Sequence, residues 1–222
     1  MTVVTRKPLA ILVAVGVVAL VANFVYPFVW YSPAIDGRVI DATTGRPVPG
    51  AVVLMTWEKT GIQGTTLGVV AIEEVAASES GEFHIPAWGP RISFHGTVKD
   101  GQPTTRVLHR DYAPLAFFNT SPIASGHDPR FIRIPYHHDD KPIALSAPAT
   151  AVDEEVAALA AFVSTMWFAY AGKQCEWTHA QRSLAIIDDM RTSLQGTTDS
   201  GRLDEVMPLD LVRKQGNCES QR

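Results

Sequence analysis

The sequence predicts a mainly β protein with an N-terminal transmembrane helix, an antiparallel β-sandwich and a C-terminal α-helical appendage. Three observations lead there. A long apolar run fills most of residues 1–31, short β-prone runs separated by turn residues occupy 35–134, and apolar residues recur at intervals of three and four in 151–222, after a polar connector at 135–150.

Arg6 and Lys7 precede an unbroken apolar run from Leu9 to Ala22, and after Asn23 the chain continues through Phe24, Val25, Tyr26, Pro27, Phe28, Val29, Trp30 and Tyr31. A helix needs about 20 apolar residues to cross the hydrocarbon core, and this run reaches that length if Asn23 is tolerated. Two cations before the run and none after it until Arg38 put the N-terminus in the cytoplasm, and the aromatic cluster suits the far interface. The expectation is a signal-anchor: a single-pass inner-membrane protein of bacterial type whose C-terminal part lies in the periplasm. The alternative is a cleaved signal peptide processed at Ser32-Pro33-Ala34. Cleavable signals carry a shorter apolar core, about 7–15 residues, which favours the uncleaved anchor.

All 23 acids and 17 of the 19 Lys and Arg lie beyond this segment, so the exported part carries a formal charge of −6. That balance argues against a nucleic-acid partner, which requires clustered cations, and leaves the membrane and an envelope protein as the expected partners. The two cysteines, Cys175 and Cys218, form a candidate disulfide in an oxidising compartment. Closing that loop would stabilise by roughly 4 kcal/mol in the chain-entropy model; two free thiols are the other reading.

Within 35–134, Ile35 to Asp41 alternates, Thr43 to Gly50 turns, and Ala51 to Trp57 reads as an apolar strand. Gly61, Gly64 and Gly68 mark a loop before a strand at Val69 to Ala77. The turn Ser78 to Gly81 leads into Glu82 to Ala87, which Trp88-Gly89-Pro90 breaks. Arg91 to Val98 and Thr104 to Tyr112 flank Lys99-Asp100-Gly101-Gln102, a hairpin signal. Leu115 to Phe118 and Phe131 to Ile134 complete the set. Strands at this spacing without a helical period between them indicate a sandwich.

Gly37-Arg38-Val39-Ile40-Asp41 followed by Thr44-Gly45-Arg46-Pro47-Val48-Pro49-Gly50-Ala51-Val52-Val53 resembles the first hairpin of carboxypeptidase regulatory-like domains. Ser80-Gly81-Glu82-Phe83-His84-Ile85-Pro86 is similar to that family's second landmark, and Tyr112-Ala113-Pro114 to its closing motif, with Asp111 where a Gly would be expected. The resemblance covers about Ile35 to Phe118 and implies a small sandwich of prealbumin-like topology, the non-catalytic companion of a zinc peptidase unit. Independently of the family, Gly45 suits a positive φ, Pro47 and Pro49 stiffen the return, and Gly50 permits a close approach.

Val152, Val156, Leu159, Val163, Met166, Trp167 and Tyr170 mark an amphipathic helix opened by Asp153, Glu154 and Glu155 and ended by Gly172. Trp177, Ala180, Leu184, Ile187, Met190 and Leu194 mark a second helix, stopped by Gly196, and Leu203 to Lys214 offers a third. This half is either packed on the sandwich or a partner-binding appendage.

Catalytic signatures are missing from the sequence. None of the seven His begins a His-x-x-Glu, and neither Gly-x-Ser-x-Gly nor a phosphate-binding Gly-rich loop occurs; no catalytic residue, metal ligand or cofactor is assigned. The nearest metal candidate is the run His137-His138-Asp139-Asp140, with His127 and Asp128 as helpers, and it reads better as a solvated connector. Glu73 and Glu74 should point to opposite faces of one strand. Candidate interaction residues are Val156, Val163 and Trp167 on the helical face, for a protein partner, and Trp88 and Phe118, for a carbohydrate or envelope polymer. The expected function is a membrane-anchored, non-enzymatic accessory or interaction module; the second reading is a carbohydrate- or envelope-polymer-binding domain, and the third a metal-dependent hydrolase centred on the His137 to Asp140 loop.

Overall fold

The computed structural model describes residues 11–18, 20, 29–60, 66–93, 97–98, 103–118, 141–166 and 176–195. Ten strands follow in order: β1 (Val29–Ser32), β2 (Ile35–Asp41), β3 (Val52–Thr60), β4 (Thr66–Ala76), β5 (Glu82–Ile85), β6 (Trp88–Ile92), β7 (Thr97–Val98), β8 (Thr104–Leu108), β9 (Leu115–Phe118) and β10 (Ile143–Leu145). Besides the helical residues 11–18 and 20, two helices, α1 (Val152–Ser164) and α2 (Gln181–Leu194), belong to the described fold, with a 3-10 turn at Glu176–His179 before α2. The protein is mainly β.

The larger sheet has the order β4-β3-β8-β9, with β7 also on β3, and the smaller one β10-β2-β5; β1 and β6 form a separate ribbon. β3 lies at the centre because it is apolar on both faces. Val53, Met55 and Trp57 join Val39, Phe83, Ile85, Ile143 and Leu145 in a core between the two sheets. Leu54, with Ile72 of β4 and Leu108 of β8, enters a second core made with Val156, Leu159, Phe162, Leu184 and Ile187 of the helices. The molecule thus has three layers, small sheet, large sheet and helix pair, and a strand buried on both sides reads as a continuous apolar run, as Ala51 to Trp57 does.

Turn chemistry directs the first hairpin. Gly45 has φ +68° and Gly50 φ +73°, values that favour glycine. Gly50 serves conformation alone, since a Cβ there would meet open space, so the expected close approach belongs elsewhere. It occurs at Gly37, opposite Phe83 in the β2–β5 register, where a Cβ would land on the Phe83 ring. It occurs again at Gly81, with φ +75°, where a Cβ would strike the Val39 carbonyl and Pro47.

Several expectations are corrected. Trp30 and Tyr31, assigned to the far end of the transmembrane segment, lie in β1, which pairs with β6 through Trp30 and Arg91; Trp30 packs against the inter-sheet core. Trp88-Gly89-Pro90 does not only break a strand but begins β6. The Asp100-Gly101 hairpin is not formed by its flanking strands: β7 and β8 both run antiparallel to β3, Lys59 opposite Val98 and Thr56 opposite Thr104, and so point the same way. The long edge of β3 takes both.

The connector at 135–150 contains β10, whose Ile143 and Leu145 are buried and which pairs with β2 in parallel. Its two core-facing apolar residues flank an exposed Ala144, a three-residue alternation too short to stand out among Ala, Ser and Pro. The strand expected at Phe131 to Ile134, the third helix at Leu203 to Lys214 and both cysteines lie outside the described residues.

Candidate functional site

Among the described residues, polar chemistry gathers at three places. The deepest is Arg106, on the helix-facing side of β8 and 1 % exposed. Its guanidinium donates from Nη1 to Thr56 Oγ1 at 2.6 Å, from Nη2 to Glu58 Oε1 at 2.8 Å and from Nε to Thr165 Oγ1 at 2.9 Å. It also donates to the Thr165 carbonyl, just past the C-terminus of α1. Burial pushes the Arg106 pKa down, and the Glu58 hydrogen bond and charge oppose that shift. A cation at a helix C-terminus satisfies an orphan carbonyl and complements the helix dipole.

Glu74 does the opposite service for α2. Its two carboxylate oxygens accept from the Arg182 N–H at 2.9 Å and the Ser183 N–H at 2.7 Å, supplying the cap that Ala180 cannot. Glu73 instead faces Arg91, 3.6 Å away, so the two acids diverge as their strand positions require.

The second place joins the first hairpin to the loop before β9. Asp41 Oδ1 accepts from the Thr43 N–H, the Thr44 N–H and the Thr44 hydroxyl, and Oδ2 accepts from the Tyr112 hydroxyl at 3.0 Å. The Thr44 backbone and side-chain bonds, then Tyr112, hold the Asp41 pKa below its ordinary value. The same bond raises that of Tyr112.

The third place is the solvent face of β10-β2-β5. A shallow groove of about 740 Å³ runs over Asp36, Arg38, Ile40, Glu82, His84 and Lys141. His84 Nδ1 lies 2.6 Å from Asp36 Oδ1, and Arg38 Nε donates to the Ser80 carbonyl. Cations and carboxylates alternate here on an exposed sheet face, which suits polar contacts with another surface. No group of three or more His, Cys, Asp or Glu that could hold a metal is present among the described residues.

The candidate interaction residues are not brought together. Val156 is 2 % and Val163 3 % exposed, both in the core that α1 and α2 share with the large sheet, so the helical face read as partner-binding is covered by the chain itself. Trp88 is 8 % exposed, with its ring edge-on to Trp57 at 5.0 Å and Arg91 stacked over it, which makes it core and not a platform. Phe118 pairs with Thr104 through its backbone, and its side chain lies outside what is described. Trp167, Cys175, Cys218 and the His137 to Asp140 run also fall outside the described residues.

Arg106 went unrecognised in the sequence, and Glu74 was read only as diverging from Glu73, not as a helix cap. The available signal was a lone cation between Thr105 and Val107 inside a strand buried along its whole length. Comparison with family models, curated proteins and solved structures found no match for this chain.

Proposed function

We propose that the protein is a membrane-anchored, non-enzymatic interaction module, with its sandwich on the periplasmic side of a bacterial inner membrane. The observation that carries this reading is the N-terminal segment: residues 11–18 and 20 are helical, and Ile11, Leu12, Val13, Val15, Val17, Val18 and Leu20 are each more than half exposed. Among the described residues no helix is long and apolar enough to cross a membrane. Even so, a helix apolar on every side is matched to lipid and not to water. Arg6 and Lys7 before it and β1 soon after it support an N-in anchor leading straight into the fold.

The carboxypeptidase regulatory-like resemblance is part of the proposal. It is supported by a first hairpin that passes from the small sheet to the large one, and by the Tyr112 to Asp41 bond, which ties the closing motif to the first. Contact with an envelope protein falls on the charged groove over β10-β2-β5. The helical face is already occupied, and with Trp88 in the core a polymer-binding face loses one of its two aromatics.

In-cell crosslinking and pull-down of the tagged full-length chain tests this. One stoichiometric envelope protein should be recovered with the wild type and lost with Arg38→Glu plus Lys141→Glu. Recovery unchanged by that double variant would remove the groove from the account.

A further inference from the structure

Outside the apolar N-terminal segment, the exposed large hydrophobic residues of the described fold are Tyr31 at 51 %, Leu67 at 45 % and Ile92 at 58 %. Strand registers, with the contacts of Lys59 to Ser93 and of Trp57 to Trp88, place them toward one end of the molecule. Ile92 is opposite Val29 at the start of β1. Its neighbour Ser93 accepts from Lys59 Nζ at 3.0 Å, and Lys59 lies in β3 between Glu58, opposite Val69, and Thr60, opposite Thr66. Leu67 belongs to that same stretch of the β3–β4 ladder. Tyr31 adjoins Gly89, whose φ of +108° and lack of a Cβ let β1 and β6 close together there. This is also the end by which the chain arrives from the apolar segment, because β1 begins nine residues after Leu20.

The other end is polar. Beyond Val52, Ala76 and Leu108, where β3, β4 and β8 meet, lie the exposed Glu79, Arg110 and Asp111. Two cations, Lys59 and Arg91, accompany the apolar end; Arg91 also reaches the Val70 carbonyl and Glu73.

We propose that this end of the sandwich, carrying Tyr31, Leu67 and Ile92 with Lys59 and Arg91, rests on the outer surface of the bilayer into which the preceding segment inserts. The inference rests on the anchor reading and adds that the fold does not hang free on a tether. Aromatic and aliphatic side chains at headgroup depth, flanked by cations facing lipid phosphates, are the composition of a membrane-interface surface. The bilayer is the occupant because the chain itself brings this end to it. Docked this way, the polar end and the charged groove stay clear of the membrane for a protein partner.

The test places a photo-crosslinking amino acid, one site at a time, at Tyr31, Leu67 or Ile92 of the full-length protein, reconstituted in vesicles of phosphatidylethanolamine and phosphatidylglycerol. Val15 serves as the anchor control and Glu79 as the distal control; lipid adducts are read by mass. Positions 31, 67 and 92 should give lipid adducts several-fold above position 79. Adducts at 15, with 67 and 92 no higher than 79, would overturn the docking and leave the anchor standing. No adducts even at 15 would bring down both.

Discussion

The two faces of the large sheet use the same strands differently. Toward the small sheet, Val53, Met55, Trp57, Ala71 and Val107 build an apolar core in which shape and area do the stabilising. Toward the helices, Leu54, Ile72 and Leu108 give a similar apolar floor, but Arg106 and Glu74 rise from it to a helix C-terminus and a helix N-terminus. Short connections, 42–51 from β2 to β3 and 77–81 from β4 to β5, already tie the two sheets together, with backbone hydrogen bonds from the Gly50 N–H to the Ala77 carbonyl and from the Val39 N–H to the Gly81 carbonyl. A pair of helices on an apolar floor has no such tie and could slide or rotate. The two ionic groups, each acting on one helix end, set its position.

The largest expected effect is at Arg106. Arg106→Ala strands Glu58 and the Thr165 carbonyl in a buried site and should destabilise by about 3–5 kcal/mol in chemical denaturation. Replacing Arg106 and Glu58 together with Met should recover much of that loss, because a buried ion pair positions more than it stabilises. If the double variant is as unstable as the single one, Arg106 supports the core directly and the contrast between the faces fails.

Next comes Gly37→Ala on the opposite side. Its methyl group would press on the Phe83 ring and should cost about 1–3 kcal/mol by overpacking, measured by the same denaturation. Gly81→Ala should be at least as costly, since it adds a positive-φ strain to a clash with backbone.

Glu74→Gln keeps an acceptor at the α2 N-terminus but removes its charge, and Glu74→Ala removes the cap. A loss of about 0.5–2 kcal/mol is expected for Ala, with a smaller one for Gln. Amide exchange should show it first at Arg182 and Ser183, while β2 and β5 stay protected. Uniform loss of protection would mean that the two layers unfold as one unit and that the cap is not local.

The smallest effect is in pH. Because the folded Asp41 pKa lies below its ordinary 3.8, its contribution to stability is present above the unfolded value and is lost as pH falls through the folded one. Wild type should therefore exceed Asp41→Asn in thermal midpoint at neutral pH, and the gap should narrow on acidification. Tyr112→Phe removes one of the donors and should reduce the gap without abolishing it.

Element types were legible where burial writes a period into the chain. Of the positions read as helix-core, Val156, Leu159, Val163, Met166, Ala180, Leu184, Ile187, Met190 and Leu194 are buried and Val152 is half-buried; Trp177 lies in the 3-10 turn before α2, and Trp167 and Tyr170 are outside the described residues. Gly45 takes the predicted positive φ. What could not be read depends on partners distant in sequence. Ile143–Leu145 becomes a strand only because β2 offers an edge, and β7 and β8 align only because β3 is long enough for both. Arg106 and Glu74 look like ordinary charged residues until helices from elsewhere in the chain place their ends over them. The helical face was read correctly as apolar, but a period of three and four does not say whether the cover is a partner or the chain's own sheet.

The central claim, a sandwich held on a membrane by its own N-terminal segment, is tested most directly by alkaline carbonate extraction of membranes from cells expressing the full-length protein, with the N-terminus of the recovered chain sequenced. The account predicts an intact N-terminus in the membrane pellet, and release into the supernatant with Leu12→Arg plus Val15→Arg. A wild-type chain that begins near Ile35 and appears in the supernatant would contradict it.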